Sequence, residues 1–347
     1  MGVSLKWVAA MLLLVVYNAH SAELVRDLYV AEMSVADRTE VELARAAGAG
    51  LAEVLVKVSG TAEVLQLPAL SAALKDARAK VLQYSYHRID AGDAALSARV
   101  EFDPAQVREL LLSAGAPIWT ATRPAVLVWL VVEEAGERRF VSPSSHPQLA
   151  AELAEGFRRR GVPLRFPLFD IADAAALDAT DAWQLSTSAI ESASSRYRTS
   201  EVLAGRMAVF AAGDSAGDWA YFSVQSRRDL SVPRTEAAQF LQAGVNQVVG
   251  DMALRYAIGG GAEVNDALLL RVGGIGSYAD YAAVVSWLKG LEPIRQTQVT
   301  SLQNETLTLS VTAVADAGQL ASIIELNTRM QPVVSSVGGG LNYQWQN

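Results

Sequence analysis

The chain has 347 residues, of which 51% are hydrophobic and 19% charged, with a net charge of −8 and no cysteine. That composition excludes a disordered chain and leaves room for two or three domains. Without cysteine there are no disulfides, thiolate metal sites or cysteine nucleophiles, and an acidic chain without a basic stripe is a poor partner for nucleic acid.

Residues 1–22 have the parts of a secretory signal: Lys6 as the only charge, the apolar run "WVAAMLLLVVY", then "NAHSA". Cleavage is expected after Ser21 or Ala22. The run is shorter than the roughly 20 residues that span a bilayer, and no later segment is long and apolar enough. The expectation is an exported, soluble, periplasmic chain, associated with the membrane only if the signal is not cleaved.

Residues 24–34 alternate as a strand, and 36–57 read as a helix ended by Gly60. A shorter helix covers 68–80. "VLQYSYHRI" and "ALSARVEF" form strands around Asp90–Gly92–Asp93, and Pro104 opens a helix ended by Gly115. This order, βα(α)ββα, defines a first module over 23–116. The stretch 117–124, "PIWTATRP", reads as a boundary.

A second domain is expected over 124–258. "AVLVWLVVEE" is apolar enough for a strand buried on both faces, and "HPQLAAELAEGFRRRG" is an amphipathic helix. A strand at 162–170 and an acidic loop or helix at 170–183 follow, then a helix over "SAIESASSRY". A hairpin crosses "AGDSAGD", and a long helix capped by Thr235 closes an α/β layer domain. After a linker at 259–266, a second βαββα module (266–331) has strands at 267–272, 294–302 and 305–313 and helices at 277–290 and 317–328. Residues 332–347 are a tail that adds a strand or frays. The fold class is thus mixed α+β and α/β: three small domains, with two βαββα modules flanking an α/β layer domain.

Motifs for chemistry are few. Gly274, Gly276 and Ala279 fit G-x-G-x-x-A after an apolar run. A dinucleotide site also needs an acidic residue about 20 positions on, at the end of a second parallel strand; Glu292 precedes a strand instead, so the turn reads as structural, with Ser277 as helix cap. "GDSAG" places Ser215 in G-x-S-x-G, whose chemistry needs a strand-to-helix elbow and a later histidine; here the motif lies between strands and His146 is the last histidine. His87 and His146 are too few for a common zinc site, and Ser144 and Ser145 beside His146 read as helix caps. Asp170, Asp173, Asp178 and Asp181 could gather a hard cation, but acids also favour helix starts. Arg158–Arg160 read as a solvated helix end. Trp119, Trp129, Trp183, Trp219, Trp287 and Trp345 are scattered, so they form no aromatic platform, and most of them read as core.

Several segments carry a resemblance: "LYVAEMSVADRTEVELARAAGAGLAEVLVKVSG" (28–60), "PAVLVWLVVEE" (124–134), "VPLRFPLFDIADAAALDATDAW" (162–183), "SSRYRTSEVLAGRM" (194–207) and "GGIGSYADYAAVVSWLKGL" (273–291). Through them the chain resembles the domain-of-unknown-function family numbered 2066, exported proteins of Gram-negative bacteria. The βαββα modules are similar to those of envelope-assembly proteins such as flagellar assembly protein T. The middle domain is similar to the amino-terminal domain of TolB and to lipoprotein activators of peptidoglycan synthases. The resemblance implies no catalytic or cofactor residue. The functional expectation is a non-enzymatic envelope accessory protein that binds another envelope protein. The alternatives are a hydrolase using Ser215 or a metal at the 170–181 acidic cluster, and a small-ligand binder with a pocket between the first two domains.

Overall fold

The fold was obtained as a computed structural model, which describes residues 22–89, 95–211, 213–224, 226–259, 267–291, 293–327, 329–333 and 340–346. The expected signal, the Asp90–Gly92–Asp93 turn, most of the 259–266 linker and Glu292 lie outside the described residues.

The first unit starts with β1 (Ala22–Leu24) and β2 (Val30–Val35). The single strand expected over 24–34 is therefore two, because β1 turns away to pair antiparallel with β6 (Thr122–Pro124). Helix α1 (Glu40–Ser59) begins where Thr39 Oγ1 accepts from the Glu42 N–H. It ends at Gly60, which is left-handed at φ +80° and donates to Val56 O. Helix α2 (Pro68–Lys75) is shorter than expected, with a 3₁₀ turn following at 77–80. Strands β3 (Val81–Ile89) and β4 (Ala95–Phe102) and helix α3 (Pro104–Ser113) complete the module. Its sheet runs β2-β4-β3. Ala31, Ala98, Val100 and Phe102 meet Leu51, Val54, Leu55 and Val58 of α1 in one core.

The expected boundary at 117–124 is not a bare connector. It holds β5 (Ile118–Trp119) and β6, and β5 pairs with β13 (Ala257–Ile258) far along the chain.

The middle unit contains β7 (Val126–Glu134), β8 (Glu137–Phe140), α4 (Pro147–Arg159) and β9 (Leu164–Arg165). Then come α5 (Ile171–Ala176), α6 (Ala179–Trp183), α7 (Thr187–Ser194), β10 (Glu201–Val209), β11 (Asp214–Phe222), β12 (Arg227–Glu236) and α8 (Ala237–Tyr256). The sheet runs β12-β11-β10-β7-β8, with β9 also on β7. β7 is parallel to β10 and β9. Val126, Val128, Leu130 and Val132 pack with Leu153, Phe157 and Val248 of α4 and α8. Leu127, Trp129 and Val131 pack with Leu177, Ala182 and Ile190 on the opposite face. Cover on both faces explains the unbroken apolar run.

Two expectations fail here. Residues 162–170 give only the two-residue β9, because Pro163 and Pro167 interrupt the ladder. Thr235 does not cap α8; it lies in β12, and the cap position is Glu236. Strand β12 shows no apolar alternation because it is an outer strand exposed along most of its length, which also suits Pro233.

The last unit holds β14 (Leu268–Gly273), α9 (Tyr278–Lys289), β15 (Ile294–Gln303), β16 (Thr306–Ala313) and α10 (Ala317–Ile324). The tail adds β17 (Met330–Pro332) and β18 (Leu341–Trp345). The sheet order is β15-β16-β14-β18-β17, with β18 parallel to β14. Its first three strands repeat the order β3-β4-β2 of the first sheet. The fold is therefore mixed α and β. Among the described residues no helix is long and apolar enough to cross a membrane.

Candidate binding cleft

A cleft of about 670 Å³ lies between the first and middle units. One wall is β2 with the last turn of α1; the other is α4 and the following residues 161–164. Lys57 is almost fully buried at its base. Its Nζ donates to Val30 O at 2.7 Å and pairs with Glu53 at 2.7 Å. Burial pushes the Lys57 amine below its ordinary pKa, opposed by the Glu53 carboxylate.

Behind Lys57 the two units are joined by Arg123, which is fully buried. Its Nη2 donates to Lys57 O at 2.7 Å and Trp119 O at 3.1 Å. Its Nη1 donates to Arg160 O at 3.1 Å and Gly161 O at 3.0 Å, and Nε to Thr120 O at 2.9 Å. The guanidinium also stacks on the Trp119 ring at 4.1 Å. Five carbonyls around one planar cation form a joint that a lysine could not reproduce. Arg160, expected at a solvated helix end, instead reaches Gly60 O at 2.9 Å and Asn246 Oδ1 at 2.6 Å.

Most charges of the cleft have a partner of opposite sign, while Arg26 is exposed to solvent. Arg99 meets Asp27 at 2.9 Å and Glu32 at 3.3 Å, Arg158 meets Glu155 at 2.6 Å, and Arg165 meets Glu23. The hydrogen bond from Arg158 holds the Glu155 carboxyl below its usual range.

The sequence motifs lie elsewhere, and the structure does not bring them together. Ser215 is inside β11, fully buried, at a bulge opposite β12. "GDSAG" is therefore mostly strand rather than the loop expected, and Ser215 Oγ has no hydrogen-bond partner. In the acidic set, Asp170 accepts from the Asp173 N–H at 3.0 Å and from Arg196 at 2.7 Å. Arg196, followed by that N–H, holds the Asp170 carboxyl well below the ordinary range. Asp173 takes Arg196, the Phe169 N–H and the Tyr197 hydroxyl, and Asp178 caps α6 through Thr180 and Asp181 N–H. Among the described residues no group of three or more acids and histidines is arranged to hold a metal ion.

His87 lies on β3, 3.9 Å from Glu32. Ser144 and Ser145 do not cap α4: Ser145 Oγ donates to Phe140 O at 2.6 Å and both serines bond Ser142, tying the loop, while His146 takes the cap position. In the Gly-rich turn, Gly274 is left-handed at φ +80°, and a Cβ there would lie 2.8 Å from Trp345 O. The close approach is to the chain's own β18. Ser277 caps α9 through the Asp280 N–H at 3.2 Å.

Three buried charged residues carry no motif in the sequence. Glu201, fully buried, takes Arg255 at 2.8 Å, Tyr256 at 3.2 Å and Tyr221, and ties β10 and β11 to α8. Burial, with the Glu201 carboxylate next, pushes the Tyr221 and Tyr256 hydroxyls above their ordinary range. Glu201, Lys57 and Arg123 belong to no motif, and the only signal is a charge inside an apolar or loop segment.

Residues 22–120 match the model of a domain of unknown function, DUF8605. The match covers the first unit and β5. It overturns the resemblance to the family numbered 2066, because the family that matches is a different one. No curated protein matches the chain.

Proposed function

We propose that this protein is a non-enzymatic accessory protein of the cell envelope, exported to the periplasm, that acts by binding another protein. The observation that carries the reading is the state of the sheet edges. The three largest sheets end in long outer strands, β3, β12 and β15, of nine, ten and ten residues. β12 and β15 are exposed over most of their length, and β3 exposes Leu82 and Tyr84. Such edges are where a partner adds a strand. The signal-like pattern of residues 1–22 supports export, and the order of elements supports a middle unit similar to the amino-terminal domain of TolB.

The test is fractionation of cells expressing a tagged full chain, followed by crosslinking in place. Recovery in the periplasmic fraction with a discrete protein adduct is the expected outcome. A chain retained in the cytoplasm defeats the export part, and absence of any adduct defeats the binding part.

A second reading, a small-ligand binder, is favoured by the cleft between the first two units. Thermal-shift screening against envelope metabolites distinguishes it.

A further inference from the structure

The first and last sheets share the order β3-β4-β2 and β15-β16-β14, but they differ at one edge. In the last sheet the outer side of β14 is covered by β18, running parallel to it. Among the described residues no strand covers the corresponding side of β2. The Phe102 N–H donates to Tyr29 O at 3.0 Å. Antiparallel alternation then turns Ala31, Met33 and Val35 toward β4 and the backbone of Val30, Glu32 and Ser34 outward. Lys57 takes the Val30 carbonyl, and Arg45 Nη2 takes that of Ser34 at 2.6 Å. The N–H and C=O of Glu32 and the N–H of Ser34 remain for another strand. Val30 and Glu32 of this edge line the 670 Å³ cleft, whose opposite wall offers Ala151 and Ala154 of α4, with Leu24 65% exposed beside it.

We infer that the outer edge of β2 is the docking site, and that its occupant is an extended segment of a partner protein lying parallel to β2 as β18 lies on β14. The inference rests on the protein-binding reading above. The occupant is neutral, with apolar residues at alternate positions. The cleft carries acidic and basic residues in equal number; Lys57 has Glu53, Arg99 has Asp27 and Arg158 has Glu155, and the remaining cation, Arg26, is exposed to solvent. A charged occupant would find these three cations already paired and the solvated Arg26 worth little, whereas a peptide backbone finds Glu32 in the cleft and Ser34 further along the same edge, and its alternate side chains find Leu24, Val162 and Leu164.

The test selects random heptapeptides on the full chain from a display library and follows amide exchange. Selected peptides should alternate apolar residues and slow exchange at Glu32 and Ser34. Ala154→Trp, at an exposed position of α4, should weaken them by about tenfold or more with the thermal midpoint unchanged. Peptides that protect β3, β12 or β15 instead, and bind Ala154→Trp equally, overturn the site while the protein-binding reading stands. Glu32 and Ser34 amides already protected in the free chain overturn it too, because the chain then covers its own edge. Failure to select any peptide also overturns the site, and the crosslinking experiment decides the broader reading separately.

Discussion

Arg123 donates through Nη2 to the carbonyl oxygen of Lys57 at 2.7 Å, so the segment after the first unit is bonded to the last turn of that unit's long helix. The same guanidinium holds carbonyls of Arg160 and Gly161 from the middle unit. Removing it leaves buried acceptors unpaired. Arg123→Ala should cost roughly 3–5 kcal/mol, read as a lowered denaturant midpoint. Arg123→Lys should recover only part of this, because one ammonium cannot reach five carbonyls. A loss below about 1 kcal/mol would show that the joint contributes little.

Gly60 presses the end of α1 against α8. A Cβ there would lie 2.6 Å from Ala253 Cβ and 3.0 Å from the Trp119 ring, at a φ of +80°. Gly60→Ala should destabilise by about 2–4 kcal/mol from strain and overpacking together. Ala253→Gly in the same chain should restore part of that, and a double-mutant cycle measures the coupling. Strictly additive effects would contradict the contact.

Gly274 makes room for the tail. Gly274→Ala should displace β18, speeding amide exchange over Leu341–Trp345 and shifting Trp345 fluorescence to the red, since that ring is buried against the last core. Unchanged exchange in β18 would mean the turn yields without disturbing the strand.

Glu42 accepts from Arg45 Nε and Nη2 at 2.9 Å and from the Ala36 N–H at 3.0 Å. Arg45 first, and that N–H second, hold its carboxyl down to about 2 from an ordinary 4.5. A carboxyl lowered in the folded state stabilises fully above its unfolded pKa, and the contribution is lost as pH falls from about 4.5 toward 2. NMR titration should place Glu42 near 2, and Arg45→Ala should return it toward the ordinary range. Glu42→Gln should flatten that part of the acid-unfolding curve.

Ser215 tests the hydrolase alternative. Its Oγ is buried without a partner, so Ser215→Ala removes an unsatisfied hydroxyl and should leave stability unchanged or raised by up to about 1 kcal/mol. A serine-reactive phosphonate should not label the folded chain. Labelling at Ser215 would overturn this assignment.

Local rules made much of the architecture legible. Helices α1, α3, α4 and α9 lie close to where their periodicity and caps place them, because Gly60, Pro104 and Ser277 act within a turn of chain. The β14-to-α9 turn reads as structural because its motif lacks the long-range acidic partner a dinucleotide needs. What failed were segments whose partners are remote. β12 is polar because it is an outer strand, so it shows no alternation, and Thr235 within it reads as a cap. The 117–124 stretch looks like a connector because β5 finds β13 only in space.

Composition and neighbours within a few residues are enough to set the mixed α and β content, most element positions and the absence of any cysteine chemistry. It takes the folded chain to show that Ser215 is sealed in a strand, that Lys57 and Arg123 share a buried joint, and that β18 covers β14 while among the described residues no strand covers the outer edge of β2. Those facts depend on which distant segments meet, and hydrogen bonds between remote backbone groups leave no periodic signal in the chain.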